Sequence, residues 1–218
     1  MKIVLSERVQ HLQASPTLAV SARAAELKAQ GRDIISLGAG EPDFDTPEHI
    51  KEAAIRAIRA GQTKYTAVDG TPSLKRAVIE KFRRDNGLEY APNQILVSCG
   101  GKQSFFNLCQ ALLNPDDEAI IPAPYWVSYP EIVQITGATP VIVSAGSEQH
   151  YKLTPAQLEQ AITTRTRLVI INSPSNPTGM AYNRAELIAF ADVLRTHPRV
   201  LIATDDMYEH FQWQGGPF

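Results

Sequence analysis

Four stretches of this 218-residue sequence carry residue types suited to holding a small polar ligand. The first, Val97-Ser98-Cys99-Gly100-Gly101-Lys102-Gln103, lies between an apolar run and a segment with helical spacing of large apolar residues. Two glycines at such a joint let the backbone approach a ligand closely. The helix that follows aims unpaired N–H groups and its positive end at the same place, which suits a phosphate. The second, Pro122-Ala123-Pro124-Tyr125-Trp126, offers a flat aromatic; the third, Asn172-Ser173-Pro174-Ser175-Asn176-Pro177-Thr178-Gly179, offers an amide. The fourth, Thr204-Asp205-Asp206-Met207-Tyr208, offers a carboxylate and a phenol. Together they fit a planar, phosphorylated nitrogen heterocycle. Asp205 ends an apolar strand, and a carboxylate so placed needs a partner, for which a protonated ring nitrogen would serve. Each feature also has a purely structural use. The glycine pair can be a tight turn, Trp126 core packing, Asn176 the organiser of its own proline-rich turn, and Asp205 the partner of an arginine or a helix N-terminus.

The elements that must position these residues alternate. Candidate strands lie at Gln94–Val97, Glu118–Ile121, Pro140–Val143, Leu168–Ile171 and Val200–Ala203, with candidate helices at 101–113, 126–136, 155–163 and 184–196. Two helix starts have capping-box chemistry, Thr154 with Gln157 and Asn183 with Glu186. Short apolar strands alternating with helices predict an α/β fold with a mainly parallel sheet covered by helices on both faces. In such a sheet ligands bind beyond the carboxyl ends of the strands, where all four stretches fall. Upstream, the pattern predicts helices over Thr17–Gln30, from Thr46-Pro47 to Gly61 with Thr46 as cap, and from Thr71-Pro72 towards Gly87, with a short strand at Asp33–Leu37.

Composition narrows the function classes. Hydrophobic residues make up 44% and charged residues 20%, with a formal net charge of −2. There is no basic stripe, so neither nucleic acid nor a membrane is an expected partner. No apolar run is long enough to span a bilayer, and the start breaks into charge at Glu7-Arg8, too early for a signal peptide. Two cysteines, Cys99 and Cys109, make neither a disulfide framework nor a zinc site. A cytoplasmic, metal-free protein is the expectation.

Taken in order, several motifs bear a family resemblance. They are Ser36-Leu37-Gly38-Ala39-Gly40-Glu41-Pro42-Asp43-Phe44, Lys64-Tyr65, Gly100-Gly101-Lys102-Gln103, Pro124-Tyr125-Trp126-Val127-Ser128-Tyr129-Pro130, Asn172 to Gly179, and Asp205-Asp206-Met207-Tyr208-Glu209-His210. The chain resembles the N-terminal part of a class I pyridoxal-phosphate-dependent aminotransferase of fold type I, most closely the bacterial aspartate aminotransferase branch. The resemblance implies a large domain over 46–218 that binds pyridoxal 5′-phosphate, with 1–45 forming an N-terminal arm and part of a small domain. It implies that Gly101 and Lys102 hold the cofactor phosphate, Trp126 stacks on the ring, Asn176 and Tyr208 bond its phenolic oxygen, and Asp205 pairs with the ring nitrogen. Gly40 would lie against the substrate α-carboxylate, together with Trp126 and Asn176, and Lys102 would meet a distal carboxylate. Tyr65 would reach the cofactor of a neighbouring subunit, making the active site shared within a homodimer. The implied substrates are an amino acid, with aspartate favoured, and a 2-oxo acid, with 2-oxoglutarate favoured.

Family members extend past the point at which this sequence stops, and the Schiff-base lysine and two arginine groups are expected there. None of Lys2, Lys28, Lys51, Lys64, Lys75, Lys81, Lys102 and Lys152 matches that lysine. No catalytic residue is therefore expected within the chain, and alone it is expected to be inactive. The alternatives are a non-catalytic cofactor-binding or dimerising fragment, or another fold type I enzyme of the same cofactor.

Overall fold

The computed structural model describes residues 3–10, 12, 15–38 and 40–211. Lys2 of the lysine set, Ala39 of the glycine-rich loop and the closing Gly215–Phe218 lie outside them. The chain divides into two compact units, residues 13–97 and residues 1–12 with 98–218. A single helical turn, α1 (Glu7–Gln10), stands near the start.

The 13–97 unit is helical: α2 (Pro16–Ala29), α3 (Glu48–Arg59) and α4 (Pro72–Lys81). Ser15 caps α2, its Oγ accepting from Leu18 N–H at 3.4 Å. Thr71 caps α4 in the same way through Leu74 N–H at 3.3 Å. A wider turn, Phe82–Asn86, prolongs α4 to Gly87 at φ +66°. The expected cap on α3 is corrected: the helix starts at Glu48, and Pro47 holds the cap position with no side-chain bond. Two expected strands do not form. Asp33–Leu37 is irregular, with Ile35 and Leu37 exposed. At Gln94–Val97 a single 3-10 turn, Pro92–Gln94, leads into unladdered backbone, and Val97 N–H donates to Asp69 O at 3.1 Å. Val97 packs instead on Gly70, where an added Cβ would come within 2.6 Å of it. Lys75 is buried beside this contact and pairs with Asp69. Apolar β-branched residues suit a strand, but a ladder needs a neighbouring strand, and here the residues pack on a loop.

The remaining unit contains the sheet. Helix α5 (Gly101–Leu112) precedes β1 (Glu118–Ala123), α6 (Ser128–Gln134), β2 (Thr139–Ser144), α7 (Pro155–Ala161), β3 (Thr166–Asn172), α8 (Arg184–Arg195) and β4 (Leu201–Asp205). All three pairings are parallel, in the order β2-β1-β3-β4. Strand alternation sorts the core into two layers. Ala119, Ile121, Leu168 and Ile170 face Cys109 of α5 and Tyr129, Ile132 and Val133 of α6. Ile120, Val169 and Ile171 face Leu158 of α7 and Phe190 and Leu194 of α8. Near-continuous apolar runs in β1 and β3 thus reflect burial on both faces. Both predicted capping boxes form: Thr154 Oγ1 accepts from Gln157 N–H at 3.3 Å, and Asn183 Oδ1 from Glu186 N–H at 3.0 Å. No helix among the described residues is long and apolar enough to cross a membrane.

At the amino ends of the strands the buried polar groups satisfy one another. Glu118, 4% exposed, accepts from Thr163 Oγ1 at 2.5 Å and pairs with Arg165 at 2.5 Å. Under α8, the Tyr182 hydroxyl accepts from Leu153 N–H at 2.8 Å, and burial pushes its pKa up to about 12.

Two consequences can be measured. Leu158→Ala, at a fully buried site, should lower unfolding free energy by about 2–5 kcal/mol, read as a reduced urea midpoint at unchanged slope. Tyr182 ionises near pH 10 when unfolded but only near 12 when folded, so its stabilisation is complete below about pH 10 and declines towards pH 12. Tyr182→Phe should flatten that alkaline decline in denaturation measured from pH 9 to 12. At pH 7 it should cost about 1–3 kcal/mol, because Leu153 N–H is left without an acceptor.

Candidate functional site

Parallel pairing puts the carboxyl ends of β1, β3 and β4 on one rim, and the start of α5 reaches the same rim. At that start Gly100 takes φ +88°, a conformation that glycine alone adopts without strain. Gln103 N–H and Ser104 N–H turn back onto Gly100 O at 3.1 and 3.2 Å, and Gln103 Oε1 accepts from Cys99 N–H at 2.5 Å. No side chain caps α5. The first N–H groups of a helix have no partner inside it, so this end keeps a partial positive charge suited to an anion.

The loop after β1 brings Trp126 to the rim just before α6. Lys102 Nζ stands 5.0 Å from the centre of its ring, within cation–π range. The loops after β3 and β4 are bound to each other. Asn172 Nδ2–H donates to Asp205 O at 2.8 Å, while Asn172 Oδ1 accepts from Asn176 N–H at 2.7 Å. Ser173 N–H adds a 3.3 Å bond to Asp205 O. Within the proline-rich loop, Ser175 N–H bonds Met180 O at 2.9 Å and Gly179 N–H bonds Ser175 O at 2.8 Å. The turn is therefore held by the Asn172 amide and by backbone bonds, with Asn176 lining the cavity described below.

Asp205, the last residue of β4, is half-buried. Its Oδ2 accepts from the Tyr129 hydroxyl at 2.5 Å and its Oδ1 from Met207 N–H at 3.2 Å. Among the described residues its side chain is thus held not by an arginine but by a buried phenol on α6 and the Met207 N–H. Tyr129 is 2% exposed, and its ring meets Phe105 and Trp126 edge-on, at centroid distances of 5.2 and 5.3 Å. Burial, then the hydrogen bond to Asp205, holds the phenol pKa far above its ordinary value, so Tyr129 remains a neutral donor.

These groups enclose a cavity of about 290 Å³ lined by Gly100, Gly101, Lys102, Trp126, Tyr129, Asn172, Asn176, Asp205, Met207 and Tyr208. Six residues singled out in the sequence (Gly101, Lys102, Trp126, Asn176, Asp205 and Tyr208) meet there. Tyr208 arrives by a turn over 207–210 rather than a helix. Gly40 and Tyr65 belong to the 13–97 unit, and both are exposed. Sequence reasoning passed over Tyr129, Asn172 and Met207. The signal for Tyr129 was its place three residues after Trp126, one turn on at a helix start. Asn172 differs from Asn176 only in ending a strand.

The groups gathered here are a helix N-terminus suited to an anion, an indole face, an amide, a phenol and a carboxylate. The cavity lies near the lower bound for small-ligand sites. Among the described residues no cluster of His, Cys, Asp and Glu could hold a metal ion.

Residues 32–218 match the family model for aminotransferase class I and II. The chain is 63% identical over 214 residues to the aspartate/prephenate aminotransferase of Nitrosomonas europaea, covering 98% of this chain and 54% of that protein. It is 54% identical over 215 residues to the aspartate aminotransferase of Bacillus sp. YM-2, covering 99% and 55%. Among solved structures, the Rhizobium meliloti aspartate aminotransferase superposes with a TM-score of 0.95 at 50% identity, covering all of this chain and 54% of that one. The Thermus thermophilus aspartate aminotransferase with maleate does so at 0.95 and 47%, covering all of this chain and 56% of that one. The chain spans about half the length of the curated relatives it matches. By the family model, which matches most of its length, it belongs to the class I and II aminotransferases.

Proposed function

We propose that this chain supplies the cofactor-binding residues of a pyridoxal-phosphate-dependent aminotransferase that moves an amino group between aspartate and a 2-oxo acid such as 2-oxoglutarate. The observation that carries this is the common cavity of Gly101, Lys102, Trp126, Asn176, Asp205 and Tyr208 at the carboxyl rim of the sheet. When bound, the cofactor supplies the amino-group carrier and electron sink of the reaction. The N–H groups of Gly101 and Lys102 hold its phosphate, helped by the positive end of α5. Trp126 fixes the plane of the ring, and Asn176 and Tyr208 bond its phenolic oxygen. Asp205 keeps a proton on the ring nitrogen, which is what lets the ring accept negative charge.

Substrate roles extend the same reading. Gly40, with Trp126 and Asn176, meets the α-carboxylate, and Lys102 meets the distal carboxylate of a dicarboxylic substrate. A homodimer in the cytoplasm, with Tyr65 of one subunit reaching the phosphate held by the other, follows from the family resemblance. So does the division into a 1–45 arm with part of a small domain and a 46–218 cofactor domain. No lysine of the chain is assigned covalent chemistry: Lys102 lines the cavity, its backbone N–H is given to the phosphate and its side chain to the distal carboxylate. The 218-residue chain by itself is accordingly proposed to bind the cofactor without turning substrate over.

Prephenate is a second acceptor to consider, because relatives 63% identical to this chain are aspartate/prephenate aminotransferases. Prephenate is itself a 2-oxo acid with a second carboxylate, so Lys102 would serve both acceptors.

Substrate profiling of the full-length protein decides between acceptors, with aspartate as donor. Asp205→Ala should lose most transaminase activity, by a factor of roughly a thousand, while its circular dichroism stays that of the parent; near-normal turnover would defeat the assignment. Lys102→Met should raise KM for dicarboxylic acceptors about tenfold more than for monocarboxylic ones, one charged hydrogen bond being removed. An equal change for both classes would remove Lys102 from distal recognition.

A further inference from the structure

We infer that Tyr129 is a positioning residue that holds the Asp205 carboxylate and the Trp126 ring as one rigid unit, thereby setting the preference of the cavity for a protonated ring nitrogen. The inference rests on the proposed pairing of Asp205 with that nitrogen and goes beyond it by naming the group that makes the pairing selective.

The hydroxyl of Tyr129 reaches Asp205 Oδ2 at 2.5 Å across 76 residues of sequence. A bond this short to a carboxylate is of the charge-assisted kind. The other oxygen is engaged by Met207 N–H at 3.2 Å. A carboxylate with one donor on each oxygen cannot rotate freely about its χ2, so its remaining acceptor capacity keeps a fixed direction. Among the described residues no cationic side chain forms an ion pair with Asp205. Its charge is therefore supported by neutral donors and left available to a cation in the cavity.

Tyr129 itself has little freedom. It is 2% exposed, it lies in the first turn of α6, and Phe105 and Trp126 abut its ring edge-on at 72° and 83°. The same ring that aims the carboxylate thus buttresses the indole, and both surfaces face the same cavity. A cation-bearing ring lying on Trp126 would meet an acceptor already directed. Without the hydroxyl the carboxylate keeps only the Met207 bond and can turn away.

The test uses the full-length protein and two ligands that lack an aldehyde, so that binding stays non-covalent: pyridoxamine 5′-phosphate and its analogue with C–H in place of the ring nitrogen. Calorimetry gives the ratio of their affinities. The parent should prefer the nitrogen ligand, and Tyr129→Phe should reduce that preference about tenfold while changing affinity for the analogue by less than about twofold. Asp205→Asn should remove the preference, and Tyr129→Phe should then have no further effect on it. Equal weakening of both ligands by Tyr129→Phe would make Tyr129 a packing residue and overturn the inference, as would an unchanged ratio. A parent with no preference at all would instead defeat the pairing of Asp205 with the nitrogen, and this inference with it. If the phenylalanine variant folds poorly, site-specific 3,5-difluorotyrosine at position 129 keeps the ring and hydroxyl but alters donation. The ratio should then move from the parent value, and an unmoved ratio overturns the inference.

Discussion

Parallel pairing is the constraint from which the site follows. When β1, β3 and β4 run in one direction, whatever follows each strand must emerge on the same rim. Loops far apart in sequence are then neighbours without any contact having to seek another out. The two edges of the sheet resolve their polar groups differently. At the amino edge, Glu118 is closed by Thr163, Thr166 and Arg165, so its charge is used up within the protein. At the carboxyl edge, the N-terminus of α5, the Asn176 amide and Asp205 open onto a cavity. Buried polar groups need partners; at the first edge the protein closes them off, and at the second they border open space.

Rigidity at the rim is supplied from two layers. One core face places Tyr129 and Phe105 beneath the indole, while Asn172 and Ser173 join the β3 loop to the end of β4. The aromatic layer thus holds the Asp205 carboxylate through Tyr129, and the β3 loop holds the backbone carbonyl of the same residue. Holding any ring-shaped ligand in one pose requires contacts placed within about half an ångström, and a rim assembled from loops would be too loose without such supports.

Much of this was readable from residues alone. Short apolar strands alternating with capped helices gave the parallel sheet, and the ends of four elements gave the cavity. What failed did so for identifiable reasons. Asp33–Leu37 and Gln94–Val97 have the composition of strands, but pairing is a tertiary property and neither segment has a ladder partner. Thr46 is a good capping residue one position too early, since Pro47 occupies the cap. The Tyr129–Asp205 bond was hidden because it spans most of the sheet unit, and sequence periodicity reports only on neighbours within one element. Asn172 was quoted as part of a motif while Asn176 drew the attention, because spacing cannot say which of two amides turns towards the next strand.

Asn172 also shows how narrow a position can be. Its amide works in both directions at once, giving a proton to the β4 carbonyl and taking one from the loop that follows β3. Aspartate has the same outline but no proton to give at neutral pH, and would set a charge against that carbonyl; leucine has the bulk but neither function. What is fixed at 172 is therefore a polarity, donor towards one strand and acceptor towards one loop, and sequences drifting at this site would be confined to the amide even where size and burial alone would admit several other residues.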